Sequence, residues 1–168
     1  SLTMAEIERF DIGRLNADTE YGRRFPDQAQ MDGVRVPRLG ELLHLVSQPR
    51  YATACLMLEL KSDPDFAQDS AVRERIVSVI CRDVREAKLA DRTLLHSFDW
   101  ALLAECRRQA PDMPLSFLTQ LQENEHDVGE DSSILVTPDF SKPDMSVPDE
   151  VRKAGGSLWC PHFTELGA

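Results

Sequence analysis

The residues best placed to do chemistry are Glu59 and Lys61, two apart at the end of the apolar run Cys55-Leu56-Met57-Leu58. Residues two apart on a strand share a face, so this spacing sets a carboxylate beside an ammonium. Barrels and open α/β sheets carry their active sites at the C-terminal ends of parallel strands. A carboxylate there can hold a hard divalent cation through oxygen. A lysine beside it can neutralise a phosphate oxygen as charge develops. The pair therefore suits phosphate chemistry, although a plain structural Glu–Lys pair at a sheet end has the same spacing.

The other chemistry-bearing side chains are less pointed. His44 falls on a helix, His96 inside a strand and His126 in an acidic loop, and these three with His162 read as structural or solvated. Cys55, Cys81, Cys106 and Cys160 form no CxxC pair, which argues against a zinc knuckle or a thioredoxin-type site. Cys55, Cys81 and Cys106 lie in apolar or amphipathic segments and are expected to be buried, inert thiols. Cys160-Pro161-His162 offers two metal-ligand types without a second pair, a weak metal signal.

These residues need elements to position them. Thr3-Met4-Ala5-Glu6 has the pattern of a capping box and predicts a short helix through Phe10, ending near Gly13. Residues 14–37 are polar and punctuated by Gly22, Pro26, Gly33 and Pro37, which predicts a long ordered loop or small insertion. Pro37 opens a helix with Leu39, Leu42, Leu43 and Val46 on one face. Residues 51–61 read as a strand, apolar on both faces like one in a covered parallel sheet. Asp69 or Ser70 caps a helix through about Leu89, with Val72, Ile76, Val79, Ile80 and Val84 at helical spacing. A strand over 93–97, a helix over 100–109 capped by Asp99, and a strand over 113–118 follow. Residues 119–133 read as an acidic loop, and Ile134-Leu135-Val136 is ambiguous. A helix over 148–154, ended by Gly155-Gly156, precedes a last strand over 157–160. Strands alternating with helices predict an α/β fold with a parallel sheet. No glycine-rich phosphate loop and no solenoid repeat is present.

Composition sets the outer bounds. The 168 residues are 42% hydrophobic and 29% charged, an ordinary globular balance with material for one core. The formal net charge of −10 disfavours non-specific binding to nucleic acid or anionic membrane. It also means that a phosphate site needs a local cation, a lysine or a metal. No apolar run approaches the ~20 residues of a membrane-spanning helix. No basic stretch followed by an apolar one marks a leader. The unpaired cysteines lean towards a reducing compartment, and cytoplasmic or periplasmic placement is left open.

Four tracts occur in order: Pro37-Arg38-Leu39-Gly40-Glu41-Leu42-Leu43, Leu58-Glu59-Leu60-Lys61-Ser62-Asp63-Pro64, Ser97-Phe98-Asp99-Trp100-Ala101-Leu102-Leu103 and Ala110-Pro111-Asp112-Met113-Pro114. With the loop segment Tyr21-Gly22-Arg23-Arg24-Phe25-Pro26-Asp27, this series resembles the glycerophosphodiester phosphodiesterase family over nearly the whole chain. The resemblance implies a (β/α)8 TIM barrel of the phospholipase-C-like phosphodiesterase type, present here as a partial barrel of about strands four to seven. Residues 1–37 would be the long loop after the third strand, and 38–168 the barrel segment. Glu59 would then bind the divalent metal, calcium or magnesium, and Lys61 would stand near the substrate phosphate. Ser97, Phe98 and Trp159 would sit at strand ends on the same rim, Phe98 and Trp159 as pocket lining or as core aromatics.

The family's His-Arg-Gly-type first strand, its Glu-Asn-Thr turn, its Glu-x-Asp strand, its His-Asp pair and its Trp-Thr-Val-Asn tract have no counterpart in the chain. The expectation is therefore a fragment or remnant of a metal-dependent hydrolase. Such an enzyme would turn a small glycerophosphodiester into glycerol 3-phosphate and an alcohol, in glycerol and lipid metabolism. The chain by itself would be inactive, with two exposed sheet edges. A non-catalytic partial-barrel interaction module, a phosphatidylinositol-specific phospholipase-like barrel and a helix-rich domain of unrelated fold are the rival expectations.

Overall fold

The computed structural model describes residues 2–62, 68–119, 137–138, 140 and 145–166. The acidic loop and the tract Ile134-Leu135-Val136 lie outside them, except for Thr119. The chain divides into two compact units, Ser1–Leu42 and Leu43–Ala168.

In the first unit the capping box forms as expected: Thr3 N donates to Glu6 Oε2 at 2.8 Å. Helix α1 is shorter than expected, Met4–Ile7. Arg9 N and Phe10 N turn back to the carbonyls three residues earlier, and such tight turns close a helix. The stretch expected as loop contains helix α2, Glu20–Arg24, capped by Thr19, whose Oγ1 accepts from Gly22 N at 3.0 Å. Asp11 gathers the stretch by accepting from Gly13 N at 3.0 Å and Gly33 N at 2.6 Å, and these two bonds lower its pKa. Gly33 sits at φ 85°, where a side chain would be strained. Arg14 adds a bidentate pair to Asp32 at 2.6 and 2.9 Å. Helix α3, Leu39–Val46, runs across the division between the units. Leu43 and Val46 are its buried residues, and the expected face partner Leu42 is exposed.

The second unit is a four-stranded, wholly parallel sheet in the sequential order β1-β2-β3-β4. Its strands are β1 (Leu56–Glu59), β2 (Thr93–Ser97), β3 (Leu115–Thr119) and β4 (Leu158–Pro161). Helices α4 (Ser70–Glu86), α5 (Trp100–Gln109) and α6 (Val147–Lys153) alternate with them. Asp69 caps α4 through bonds from Ala71 N and Val72 N, and Asp99 caps α5 in the same way. Gly155, at φ 80°, ends the helical path after α6.

Two strands start later than expected, for reasons the side chains supply. Residues 51–54 are turned rather than extended because Arg92 Nη1 donates to three carbonyls there: Tyr51 at 2.8 Å, Ala52 at 3.0 Å and Ala54 at 2.8 Å. Met113 N closes a turn onto Ala110 O at 3.0 Å, so β3 begins at Leu115. The buried seam of α4 is Val77, Cys81 and Val84; the expected Val79 is exposed.

The two faces of the sheet differ. Leu95, Ser97, Leu115 and Phe117 are almost fully buried, and the Trp100 ring of α5 meets Phe117 edge-on at 4.6 Å. The alternate residues Met57, Glu59, Leu94, His96, Ser116 and Leu158 stand on the other face, by strand parity and register. Met57 and Leu158 are about half exposed on it (56% and 48%), so the helices cover only one side among the described residues. No helix of the described residues is long and apolar enough to cross a membrane.

The thiols divide in the same way. Cys81 and Cys106 are buried as expected, and burial pushes the Cys106 thiol up to about 12. Cys55 is exposed, contrary to expectation, because it precedes β1 at the end of the turned segment rather than lying within a covered strand. Ellman's reagent is expected to titrate Cys55 fast and to leave Cys81 and Cys106 unreacted in the native state. Cys55→Ser should remove the fast phase, and an undiminished fast phase in that variant would contradict this placement.

Candidate functional site

Glu59 is the last residue of β1, at the C-terminal end of a parallel strand. The ladder does not stop abruptly after it. Leu60 N donates to His96 O at 2.8 Å, and Leu60 O accepts from the Ser97 hydroxyl at 2.6 Å. The peptide groups between Glu59 and Lys61 are thus held on both polar atoms by β2. Asp99 completes the clamp. Its Oδ1 accepts from Ala101 N at 2.9 Å and Leu102 N at 3.3 Å, its own N–H donates to Ser97 Oγ at 3.0 Å, and Ser62 Oγ donates to its Oδ2. Asp99 and Ser97 are buried, so water competes little for these bonds. The tract Ser97-Phe98-Asp99 thereby fixes the segment 59–62 that carries the candidate chemistry.

The expected pair forms: Lys61 Nζ lies 3.5 Å from Glu59 Oε1. The side chains are 62% and 36% exposed respectively. An ion pair this open contributes about 0–1 kcal/mol to stability. A ligand that takes either partner therefore gives up little by separating them.

Two further groups share the face of Glu59. Register pairs Glu59 with His96 and His96 with Ser116 across three adjacent strands. His96 is buried, and its Nδ1 lies 2.9 Å from Ser116 Oγ. Burial lowers the His96 pKa, with a smaller opposing pull from the Glu59 carboxylate. The neighbourhood was not visible in the sequence, because strand register relates residues 37 positions apart; only the parity of His96 against Leu94 hints at which face it takes.

Phe98 follows β2 directly and is half-buried at the same rim. Trp159 is placed elsewhere. It is the register partner of Phe117, on the helix-covered side of the sheet, and its Nε1 donates to Thr119 Oγ1 at 2.9 Å. The Thr119 hydroxyl in turn donates a hydrogen bond to Glu165 Oε2 at 2.6 Å. By parity the ring stands on the opposite face from Glu59, and three strand spacings, on the order of 14 Å, separate β4 from β1. The structure thus brings Glu59, Lys61 and His96 together and leaves Trp159 apart from them. His162 follows β4, and its ring lies 4.4 Å from that of Phe163.

Among the described residues no group of three or more histidine, cysteine or acidic side chains could enclose a metal. Glu59 offers one carboxylate. That fits a hard cation of the magnesium type, which is held by one or two carboxylates and keeps waters or phosphate oxygens as its other ligands.

A sequentially ordered parallel sheet, with helices on one face and an acid–lysine pair at its C-terminal rim, defines a segment of an α/β barrel. The comparisons with solved structures agree. A candidate glycerophosphoryl diester phosphodiesterase of Silicibacter pomeroyi matches at 47% identity and a TM-score of 0.85, over 99% of this chain and 52% of that one. A glycerophosphodiester phosphodiesterase of Parabacteroides distasonis matches at 17% identity and a TM-score of 0.54, over 90% of this chain and 54% of that one, which bears on the fold alone. The structural neighbours of the chain are thus glycerophosphodiester phosphodiesterases, as the sequence resemblance implies, and its sheet matches part of their TIM barrel. The chain spans about half the length of these neighbours. No family model matches it, and no curated protein does.

Proposed function

We propose that this chain carries the Glu59–Lys61 side of the active site of a glycerophosphodiester phosphodiesterase. The complete protein would hydrolyse a small glycerophosphodiester to glycerol 3-phosphate and an alcohol. The observation that carries the proposal is the Glu59–Lys61 pair, 3.5 Å apart at the C-terminal rim of a parallel sheet and pinned there by Ser97 and Asp99. The 47% identity to the Silicibacter protein supports the substrate class.

Glu59 would hold a calcium or magnesium ion by its carboxylate oxygens. When bound, that ion draws negative charge off the phosphodiester and so eases attack on phosphorus. Lys61 turns from Glu59 to the phosphate and offers a second positive contact, which strengthens as charge builds on the non-bridging oxygens. Phe98, directly after β2, would lie beside the bound substrate. Trp159 stiffens the rim between β3 and β4 from the helix-covered side through its bond to Thr119. The acid and base that move protons to and from the reacting oxygens would come from outside these 168 residues, so the chain alone would not turn over.

The test follows glycerol 3-phosphate release from glycerophosphocholine by the protein expressed from its full reading frame, with added calcium or magnesium and with chelator. The expected result is metal-dependent release, absent with chelator and absent from the 168-residue chain. Release by the 168-residue chain alone would contradict the assignment of roles, and a folded full-length protein inert under both metals would contradict the substrate.

A further inference from the structure

Among the described residues, the C-terminal rim of the sheet carries a tie at each end, and both ties finish on a carboxylate. At β1 and β2 the Ser62 hydroxyl donates to Asp99. At β3 and β4 the Thr119 hydroxyl donates to Glu165 Oε2 at 2.6 Å and accepts from Trp159 Nε1 at 2.9 Å. The direction of this second chain is fixed by its ends. An indole N–H can only donate, an ionised carboxylate can only accept, and the hydroxyl between them has one proton to give. Thr119 is 4% exposed, so water competes little for either bond.

The main chain beyond β4 closes onto the same residues. His162 N donates to Thr119 O at 3.1 Å, and His162 O accepts from Glu165 N at 2.9 Å. Both polar atoms of the His162 main chain are thus held, as those of Leu60 are at the other end of the sheet. Glu165 lies in the single turn Phe163–Leu166, close behind the strand. In an α/β barrel the connections that leave the C-terminal ends of the strands build the active-site face. From this closed chain we infer that Glu165 is a positioning residue for the proposed reaction: through Thr119 it holds the turn after β4 against the rim, in the way Asp99 holds the segment 60–62. The inference rests on the proposed function and gives the β4 end of that site its anchor. Glu165 acts through Thr119 and is assigned neither to the substrate nor to the cation.

Four substitutions separate the bond from the bulk of its side chains. Thr119→Val removes the hydroxyl and keeps the size, and Thr119→Ser restores the hydroxyl. Glu165→Ala removes the acceptor, and Glu165→Gln keeps an oxygen within reach. The measurement is KM and kcat for glycerophosphocholine on the full-length protein with magnesium, beside the unfolding midpoint. The expected result is a rise in KM of about tenfold in Thr119→Val and in Glu165→Ala, as for one hydrogen bond to a charged group. Thr119→Ser and Glu165→Gln should stay within about threefold of the wild type, because each keeps the bond. Adding Glu165→Ala to Thr119→Val should raise KM no further, because both changes remove the same interaction.

A merely structural bond behaves differently. Its loss lowers the folded fraction, and with it the apparent kcat, and leaves the KM of the folded remainder unchanged. Unchanged KM in Thr119→Val and Glu165→Ala, effects that multiply in the double variant, or a loss in Thr119→Ser as large as in Thr119→Val would overturn the inference. Should Thr119→Val not fold, Glu165→Ala against Glu165→Gln makes the same comparison. A wild-type protein that releases no glycerol 3-phosphate overturns the proposed substrate. Release by the wild type with KM unmoved in the variants overturns only the role of Glu165.

Discussion

Replacing Glu59 by glutamine in the full-length protein is expected to lower metal-dependent glycerol 3-phosphate release by at least about a hundredfold, with a matching loss of divalent-cation affinity. Removing a group that merely orients a ligand costs about 10–100-fold in metal affinity or activity, and Glu59 is proposed as a ligand itself. Glutamine keeps the size and reach of the side chain but replaces one carboxylate oxygen by a nitrogen and removes the charge a hard cation requires. Folding should barely change. Glu59 is 36% exposed, and its pair with Lys61 is worth about 0–1 kcal/mol at most. The decisive pattern is therefore lost metal binding at unchanged unfolding midpoint. Metal binding by Glu59→Gln equal to wild type would show that the carboxylate is only the structural partner of Lys61.

Asp99→Ala should have the opposite signature, with the protein destabilised by about 2–4 kcal/mol. Loss of an N-cap costs about 0.5–2 kcal/mol, and leaving buried donors unsatisfied costs about 1–3 kcal/mol more. Asp99 is 0% exposed and accepts from Ala101 N, Leu102 N and Ser62 Oγ together, so one truncation leaves all three donors without their acceptor. Asp99→Asn retains a good cap and should cost about 1 kcal/mol. Urea unfolding followed by tryptophan fluorescence measures both, because Trp100 is the next residue. The Ala variant should also raise KM through the segment 60–62, whose hydroxyl at Ser62 loses its anchor. An Asp99→Ala protein as stable as wild type would mean that the clamp does not hold the strand end.

Much of the fold was legible in the sequence, for reasons particular residues make plain. Asp99 and Asp69 announced their helices because an N-cap is a local interaction within three residues. Gly155 marked a helix end because its φ of 80° suits glycine. The strand 93–97 was clear because Thr93, Leu94 and Leu95 follow the polar Asp91-Arg92 and the cap residue Asp99 comes soon after Ser97. The start of β1 was misjudged for a non-local reason: Arg92, 38 to 41 residues away, folds the carbonyls of Tyr51, Ala52 and Ala54 around its guanidinium. The hidden α2 needed only a five-residue turn under Thr19, below what periodicity can resolve.

The candidate site was legible to a similar depth. The spacing of Glu59 and Lys61 gave their shared face, because side-chain parity is fixed within one strand. The row Glu59–His96–Ser116 depends on register between strands, which no single strand encodes. Trp159 shows the same limit: expected at a strand end, it lies inside β4, and its sheet face was set by pairing with Phe117.

The most direct test of the central claim is anomalous scattering from crystals of the full-length protein grown with manganese. The expected result is a peak about 2.0–2.6 Å from a Glu59 carboxylate oxygen, with Lys61 Nζ turned away from Glu59. A manganese peak elsewhere, with Glu59 and Lys61 still joined at 3.5 Å, would contradict it.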